Sequence, residues 1–102
     1  MTDEQKAICH KIADHYGKNH QMLKAVEEMA ELTQVIVKTI HGDALHEWEY
    51  PGELADVLIM AEQLRYMYDN SDGVFDGRVE KFIDAKLNRQ LKRMEDESDA
   101  AV

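Results

Sequence analysis

Long stretches of helical periodicity, interrupted at only three places, constrain the fold of this sequence more than any other feature. Apolar residues recur at the spacing of an α-helix between interruptions at Gly17, at Gly42 and at residues 70–73. The chain has one proline, at Pro51, and it has six methionines but few aromatic residues. This composition suits helices better than a β-sandwich. The sequence therefore predicts an all-α fold.

The first two helices are predicted from their capping residues. The first follows Thr2, which can form a capping box with Gln5, and it ends at Gly17. The second follows Asn19 as its N-cap and ends at Gly42. Its predicted apolar stripe comprises Met22, Ala25, Val26, Met29, Leu32, Ile36 and Ile40.

The second half of the chain predicts a connector and two further helices. Residues 42–50 lack periodicity and are expected to be a connector, with Pro51 at the first position of the third helix. This helix runs to about Asp69 and is apolar nearly all round, which is typical of a central helix or of a subunit interface. The fourth helix is expected at about residues 76–94, after the turn at 70–73.

At 102 residues the chain is expected to be one domain, because there is no room for a second independent core. Short loops between antiparallel helices predict an up-and-down bundle of four to five helices. Residues 95–102 are acidic and small, and we expect them to form a disordered tail.

Charge and cysteine content narrow the class of function. The net charge is −9, with 21 acidic against 12 basic side chains, which argues against nucleic-acid binding. A small phosphorylated substrate is still compatible, because a divalent cation can bridge carboxylates and phosphates. Cys9 is the single cysteine, so no disulfide framework is expected. No signal-peptide segment and no apolar run of 18 residues is found, which predicts a cytoplasmic protein without a membrane partner.

Two pairs of carboxylates are the candidates for chemistry. Glu28 and Glu31 are three residues apart on the second predicted helix, and Glu53 and Asp56 are three apart on the third. Residues at this spacing lie on one face of a helix, so both members of a pair can point at one place.

Positively charged side chains of the same helices compensate the charge of these acids little. No Lys or Arg follows any of them by four residues, and Lys24 precedes Glu28 in the weaker ion-pair orientation. Asp56 lies within an apolar run, where an unpaired carboxylate is costly to desolvate. A hard divalent cation such as Mg²⁺ would relieve this cost. The alternative is that the acids face solvent or pair with Lys and Arg of the fourth helix.

The segments EEMAEL (27–32) and ELADVL (53–58) resemble the ExxE…ExxD signature of the MazG-like all-α NTP pyrophosphohydrolases. The similarity extends over about residues 20–94, and residues 86–93 resemble the basic end of the family's last core helix. The resemblance implies that Glu28, Glu31, Glu53 and Asp56 bind Mg²⁺, with Mn²⁺ as a substitute. It also implies cleavage of an NTP or dNTP to the monophosphate and pyrophosphate. The family's bundle is completed by oligomerisation, which implies a homodimer or homotetramer here.

The remaining candidate site residues each have a functional role and an ordinary structural role as alternatives. Glu27 is expected either to act catalytically, as a further ligand or by orienting the attacking water, or to be a solvated helical residue. Trp48 stacks on a nucleobase or anchors its loop. Candidates for contacts with phosphate or sugar, each also compatible with an ordinary surface position, are Lys24, Lys38, Lys86, Asn88 and Arg89.

Two other functions compete with hydrolysis. One is a non-catalytic acidic helical adaptor or regulator with the same fold. The other is a carboxylate-bridged redox metal site, which is disfavoured because no Glu-x-x-His motif is present. The preference for base and sugar is left open.

Overall fold

The protein is described by a computed structural model that covers residues 1–68 and 71–100, without the side chains of residues 45 and 46. These residues form helices and no strand, so the predicted all-α class is confirmed. The helices are α1 (Asp3–Tyr16), α2 (Lys18–Ile40), α3 (Ala44–Met67) and α4 (Val74–Ala100). Helices α1 to α3 belong to one compact unit, the first unit, and α4 belongs to a second. Within the described ranges, no helix has the length and apolar character needed to cross a membrane.

Helix α1 begins and ends as the sequence predicts. The Thr2 hydroxyl accepts a hydrogen bond from the Gln5 backbone N–H at 3.1 Å. In return the Thr2 backbone N–H donates to Gln5 Oε1 at 2.9 Å, which completes the capping box. The helix stops at Gly17, whose φ of +87° lies in the region that favours glycine.

Helix α2 begins without a linker, and the predicted N-cap at Asn19 is wrong. Gly17 both ends α1 and precedes the first residue of α2, Lys18. The Gly17 carbonyl already accepts from the Gln21 N–H at 3.1 Å, so Asn19 lies inside the helix. Helix α2 ends at Ile40, two residues before Gly42, whose φ is +81°.

The predicted connector at residues 42–50 is wrong, because α3 begins at Ala44. Pro51 is therefore inside the helix and is not its first residue. A proline lacks an N–H and leaves the carbonyl four residues earlier, that of Glu47, without its helical donor. Glu47 and Pro51 are both exposed, so water can bind at this carbonyl and the helix can continue.

Contacts between side chains define the direction of the helices in the first unit. Gln21 contacts Gln63, and Glu28 lies beside Asp56, so α2 and α3 are antiparallel. The buried positions of α2 are 21, 25, 28 and 35, whereas Met22 and Met29 of the predicted apolar stripe are exposed. Consequently α2 buries polar side chains where it packs, and these side chains form the site described below.

Helix α1 runs parallel to α3 and is joined to it by polar contacts. His10 Nε2 lies 3.1 Å from Glu62 Oε1, and the His10 ring stacks on Tyr66 with centroids 4.0 Å apart. The Tyr66 hydroxyl donates to the Asp14 carboxylate at 2.9 Å. The buried apolar residues of the first unit are Cys9, Ala13, Ala25, Val35 and Met60.

Helix α4 is longer than predicted at both ends. It begins at Val74, whose N–H donates to Asp72 Oδ1 at 3.0 Å, after Gly73 with a φ of +73°. It continues to Ala100, so residues 95–100 are helical and the predicted disordered tail is corrected over that range. No glycine or proline follows Gly77, and the charged residues of this segment are compatible with a helix. Asn70 of the predicted turn and residues 101 and 102 lie outside the described residues.

Candidate metal centre and adjoining cleft

Three of the four predicted metal ligands come together in the first unit. Glu28 of α2 and Glu53 and Asp56 of α3 each place one carboxylate oxygen so that all three lie within 4.8 Å of one another. The antiparallel packing of α2 and α3 brings the two acidic motifs to the same level. We call these three residues the acidic cluster.

Two oxygens of the acidic cluster are buried without compensation. Glu28 is only 8 % exposed, and Glu28 Oε2 and Glu53 Oε2 are buried with no hydrogen-bond partner among the described residues. Buried polar atoms are nearly always hydrogen-bonded, so two such oxygens beside a third carboxylate require an explanation. A bound cation would supply the missing partner.

Glu31, the fourth predicted ligand, lies next to the cluster without belonging to it. Its negative charge is among those that act on Glu53. Burial raises the pKa of Glu53 above its ordinary value, and the negative charges of Glu31, Asp56 and Glu28 raise it further. Burial and neighbouring negative charge therefore both disfavour the ionised form of Glu53.

The raised pKa of Glu53 predicts a pH dependence of the stability of the metal-free protein. The folded state binds this proton more tightly than the unfolded chain, so the resulting stabilisation is complete below the ordinary value of 4.5. It is lost as pH rises through the raised pKa. We expect Tm, measured against pH in EDTA, to fall more steeply over this interval for the wild type than for Glu53→Gln. Parallel curves for the two proteins would show that Glu53 titrates normally.

Lys24 supplies a counter-charge that its unfavourable orientation in the sequence did not predict. Its Nζ lies 3.2 Å from Glu28 Oε1 and 3.8 Å from Glu27 Oε2. The hydrogen bond and charge of Glu28, followed by the charges of Glu27 and Glu31, raise the pKa of Lys24, so it stays protonated. The expectation that cations of the same helix compensate these acids little is therefore wrong for Glu28. The ion pair uses Oε1 and leaves Oε2 unpaired.

Asp56 differs from its expected environment. Its apolar neighbours predict a desolvated carboxylate, but Asp56 is exposed. Leu54, Leu58 and Ile59 of the same run are exposed as well. An apolar run on this helix is therefore not evidence that its residues are buried. The desolvated acids are Glu28 and Glu53.

A cleft of about 620 Å³ adjoins the acidic cluster. One part of its wall is charged and contains Lys24, Glu27, Glu28 and Asp56. The remaining wall comprises Ile12, Tyr16, His20, Gln21, Leu23, Ile59, Met60 and Gln63. The place of the two glutamines in this wall was not predicted from the sequence, since an isolated Gln in a helix carries no signal of burial.

The other predicted contact residues lie elsewhere. Trp48 is on α3, where it is 86 % exposed, and Lys38 is in the last turn of α2. Neither is among the described residues that line the cleft. Lys86, Asn88 and Arg89 lie on α4, in the second unit, and their contact with a substrate stays a prediction.

The donor set of the cluster suits a hard cation. Each bond from Mg²⁺ to oxygen is about 2.1 Å, so ligands on opposite sides of the ion are about 4 Å apart. Carboxylate oxygens within 4.8 Å of one another can reach this spacing by small side-chain rotations. No family model, curated protein or solved structure matches the chain.

Proposed function

We propose that this chain is a Mg²⁺-dependent nucleoside triphosphate pyrophosphohydrolase of the MazG-like type, which cleaves an NTP or dNTP to the monophosphate and pyrophosphate. The observation that carries the proposal is the convergence of Glu28, Glu53 and Asp56, with two buried oxygens that have no hydrogen-bond partner in the described part of the chain. Such a cluster is costly in an apo protein and favourable around a divalent cation.

In this proposal the acidic cluster holds Mg²⁺, with Mn²⁺ able to replace it, and Glu31 adjoins the ion as a further ligand. When bound, the cation neutralises phosphate charge and lowers the pKa of a water molecule. The cation would also offset the repulsion that Glu31 exerts on Glu53.

The chain's other charged groups have roles at the phosphates. The Lys24 ammonium group lies in the wall of the cleft beside Glu28 and stays protonated, so it can contact phosphate oxygens. Hydrolysis forms a bond from the water oxygen to phosphorus, breaks the bond to pyrophosphate and releases a proton. Glu27, exposed in the same wall, is a carboxylate that can accept this proton.

Exposed apolar residues support the proposal of a homodimer or homotetramer. Leu23, Val26 and Val37 of α2 and Leu54 and Leu58 of α3 are all exposed in the single chain. Apolar surface of this kind is commonly covered by a second copy in symmetric assemblies. We also propose a cytoplasmic location, where nucleotide substrates are available.

The proposal is tested by measuring pyrophosphate release from a panel of NTPs and dNTPs, with Mg²⁺ and with EDTA. We expect release of pyrophosphate and a nucleoside monophosphate with at least one nucleotide, and none in EDTA. Absence of release with every nucleotide would contradict the proposal and favour the non-catalytic adaptor.

A further inference from the structure

Gln21 and Gln63 form a buried amide pair in the wall of the cleft. We infer that this pair is a nucleobase-recognition subsite, at which the protein distinguishes bases by their hydrogen-bonding edge. The inference rests on the proposed function and extends it, because it assigns the end of the cleft that the phosphates do not use.

The pair joins α2 to α3, and both residues are almost completely buried. Gln21 Nε2 donates to Gln63 Oε1 at 2.8 Å, and the two residues are 4 % and 1 % exposed. Gln21 Oε1 lies 2.7 Å from His20 Nδ1, and the His20 ring stacks on Tyr16 with centroids 5.0 Å apart. The two amides are therefore held in place, and an aromatic group lies beside them.

The amide pair has hydrogen-bonding capacity that the protein does not use. Each primary amide offers two N–H groups and two lone pairs on oxygen. The Gln63 amide nitrogen donates only to the Met60 sulfur, at 3.8 Å, among the described residues. A thioether is a weak acceptor, so a buried donor remains poorly satisfied in the wall of a cleft. A nucleobase edge, with a donor next to an acceptor, is complementary to such an amide.

The spacing along the helices fits a nucleotide. Gln21 precedes Glu28 by seven residues on α2, and Gln63 follows Asp56 by seven residues on α3. Seven residues of helix correspond to about 10 Å, so the amide pair lies two turns from the acidic cluster on both helices. This is roughly the length from the first phosphate to the far edge of the base. The cleft volume of about 620 Å³ is within the range of small-molecule sites.

The test uses variants of the full chain that remove the amides. Gln63→Met leaves the Gln21 amide without its partner, so the double variant Gln21→Met/Gln63→Met, which removes both polar groups, guards against loss of folding. Gln34→Met is the matched control, because Gln34 is an exposed glutamine of α2. Thermal unfolding of each variant verifies that it is folded.

The first readout is the ratio of kcat/KM between the best and the poorest base of the nucleotide panel. We expect the double variant to reduce this ratio by about tenfold or more, mainly through KM, and Gln34→Met to leave it unchanged. A merely structural role for the pair would lower kcat/KM equally for all bases and would overturn the inference while leaving the proposed function intact. Equal use of all bases by the wild type would overturn it too.

The second readout does not depend on hydrolysis. Free nucleosides, titrated in EDTA and followed by NMR, should shift the side-chain amide signals of Gln21 and Gln63, which are assigned by their loss in the Met variants. Unchanged signals with every nucleoside would overturn the inference. If the wild type releases no pyrophosphate from any nucleotide, it is the proposed function that fails, and this inference fails with it.

Discussion

Replacing Glu53 with Gln should lower kcat/KM for Mg²⁺-dependent pyrophosphate release by at least about 100-fold. Loss of a group that merely supports a metal ligand costs 10- to 100-fold in metal affinity or activity, so loss of a ligand should cost no less. Glu53 has several acids around it, since Glu31, Asp56 and Glu28 all raise its pKa. The measurement is steady-state kinetics with the best nucleotide of the panel, at saturating Mg²⁺.

The matched control for this substitution is Glu49→Gln. Glu49 lies on the same helix, one turn before Glu53, and is exposed. It is not a member of the acidic cluster, so the substitution removes the same charge without removing a proposed ligand. We expect it to retain wild-type kinetics. If Glu53→Gln were as active as Glu49→Gln, the acidic cluster would not be the site of hydrolysis.

Mg²⁺ should stabilise the folded protein strongly. A cation that binds only the folded state adds about 2.7 kcal/mol at a concentration of 100 times its Kd. For a chain of about 100 residues this corresponds to a rise in Tm of roughly 10 °C or more. The physical reason is that the cation relieves repulsion among Glu28, Glu53 and Asp56 and provides a partner for their two unsatisfied oxygens.

The variant Glu53→Gln should differ from the wild type in its Tm both without metal and with Mg²⁺. Without metal it should have a higher Tm than the wild type at neutral pH, because a partly buried charge that its neighbours repel has been removed. With Mg²⁺ its Tm should rise little. A shift of equal size in both proteins would mean that Mg²⁺ stabilises the protein elsewhere. A lower Tm of the metal-free variant would contradict the repulsion itself.

The helix ends of α1 were predictable from sequence because local chemistry determines them. Thr2 and Gln5 cap each other within one turn, and Gly17 adopts a positive φ that few other residues tolerate. The beginning of α3 was not predictable in this way. Pro51 favours a first-turn position, yet an exposed proline can be accommodated later in a helix, and this depends on the surroundings of Glu47.

The convergence of the acids could be predicted from their spacing in the sequence. The burial of each acid and its contacts with other helices could not. Three-residue spacing places two carboxylates on one helix face, and the antiparallel packing of α2 and α3 brings the two pairs together. Whether Asp56 is buried depends on which face of α3 packs, and residues 54–61 do not distinguish the faces because all of them except Asp56 are apolar. The Gln21–Gln63 pair was missed for a related reason, because it forms only when two helices distant in sequence meet.

The central claim is that a divalent cation binds among Glu28, Glu53 and Asp56, and the most direct test is a titration with Mn²⁺ followed by electron paramagnetic resonance. The signal of free Mn²⁺ should be suppressed by the wild-type protein in a saturable way and should return on addition of excess Mg²⁺. Glu53→Gln should weaken this binding strongly, while Glu49→Gln should not. Mn²⁺ binding that is absent from the wild type, or that is the same in Glu53→Gln, would contradict the account.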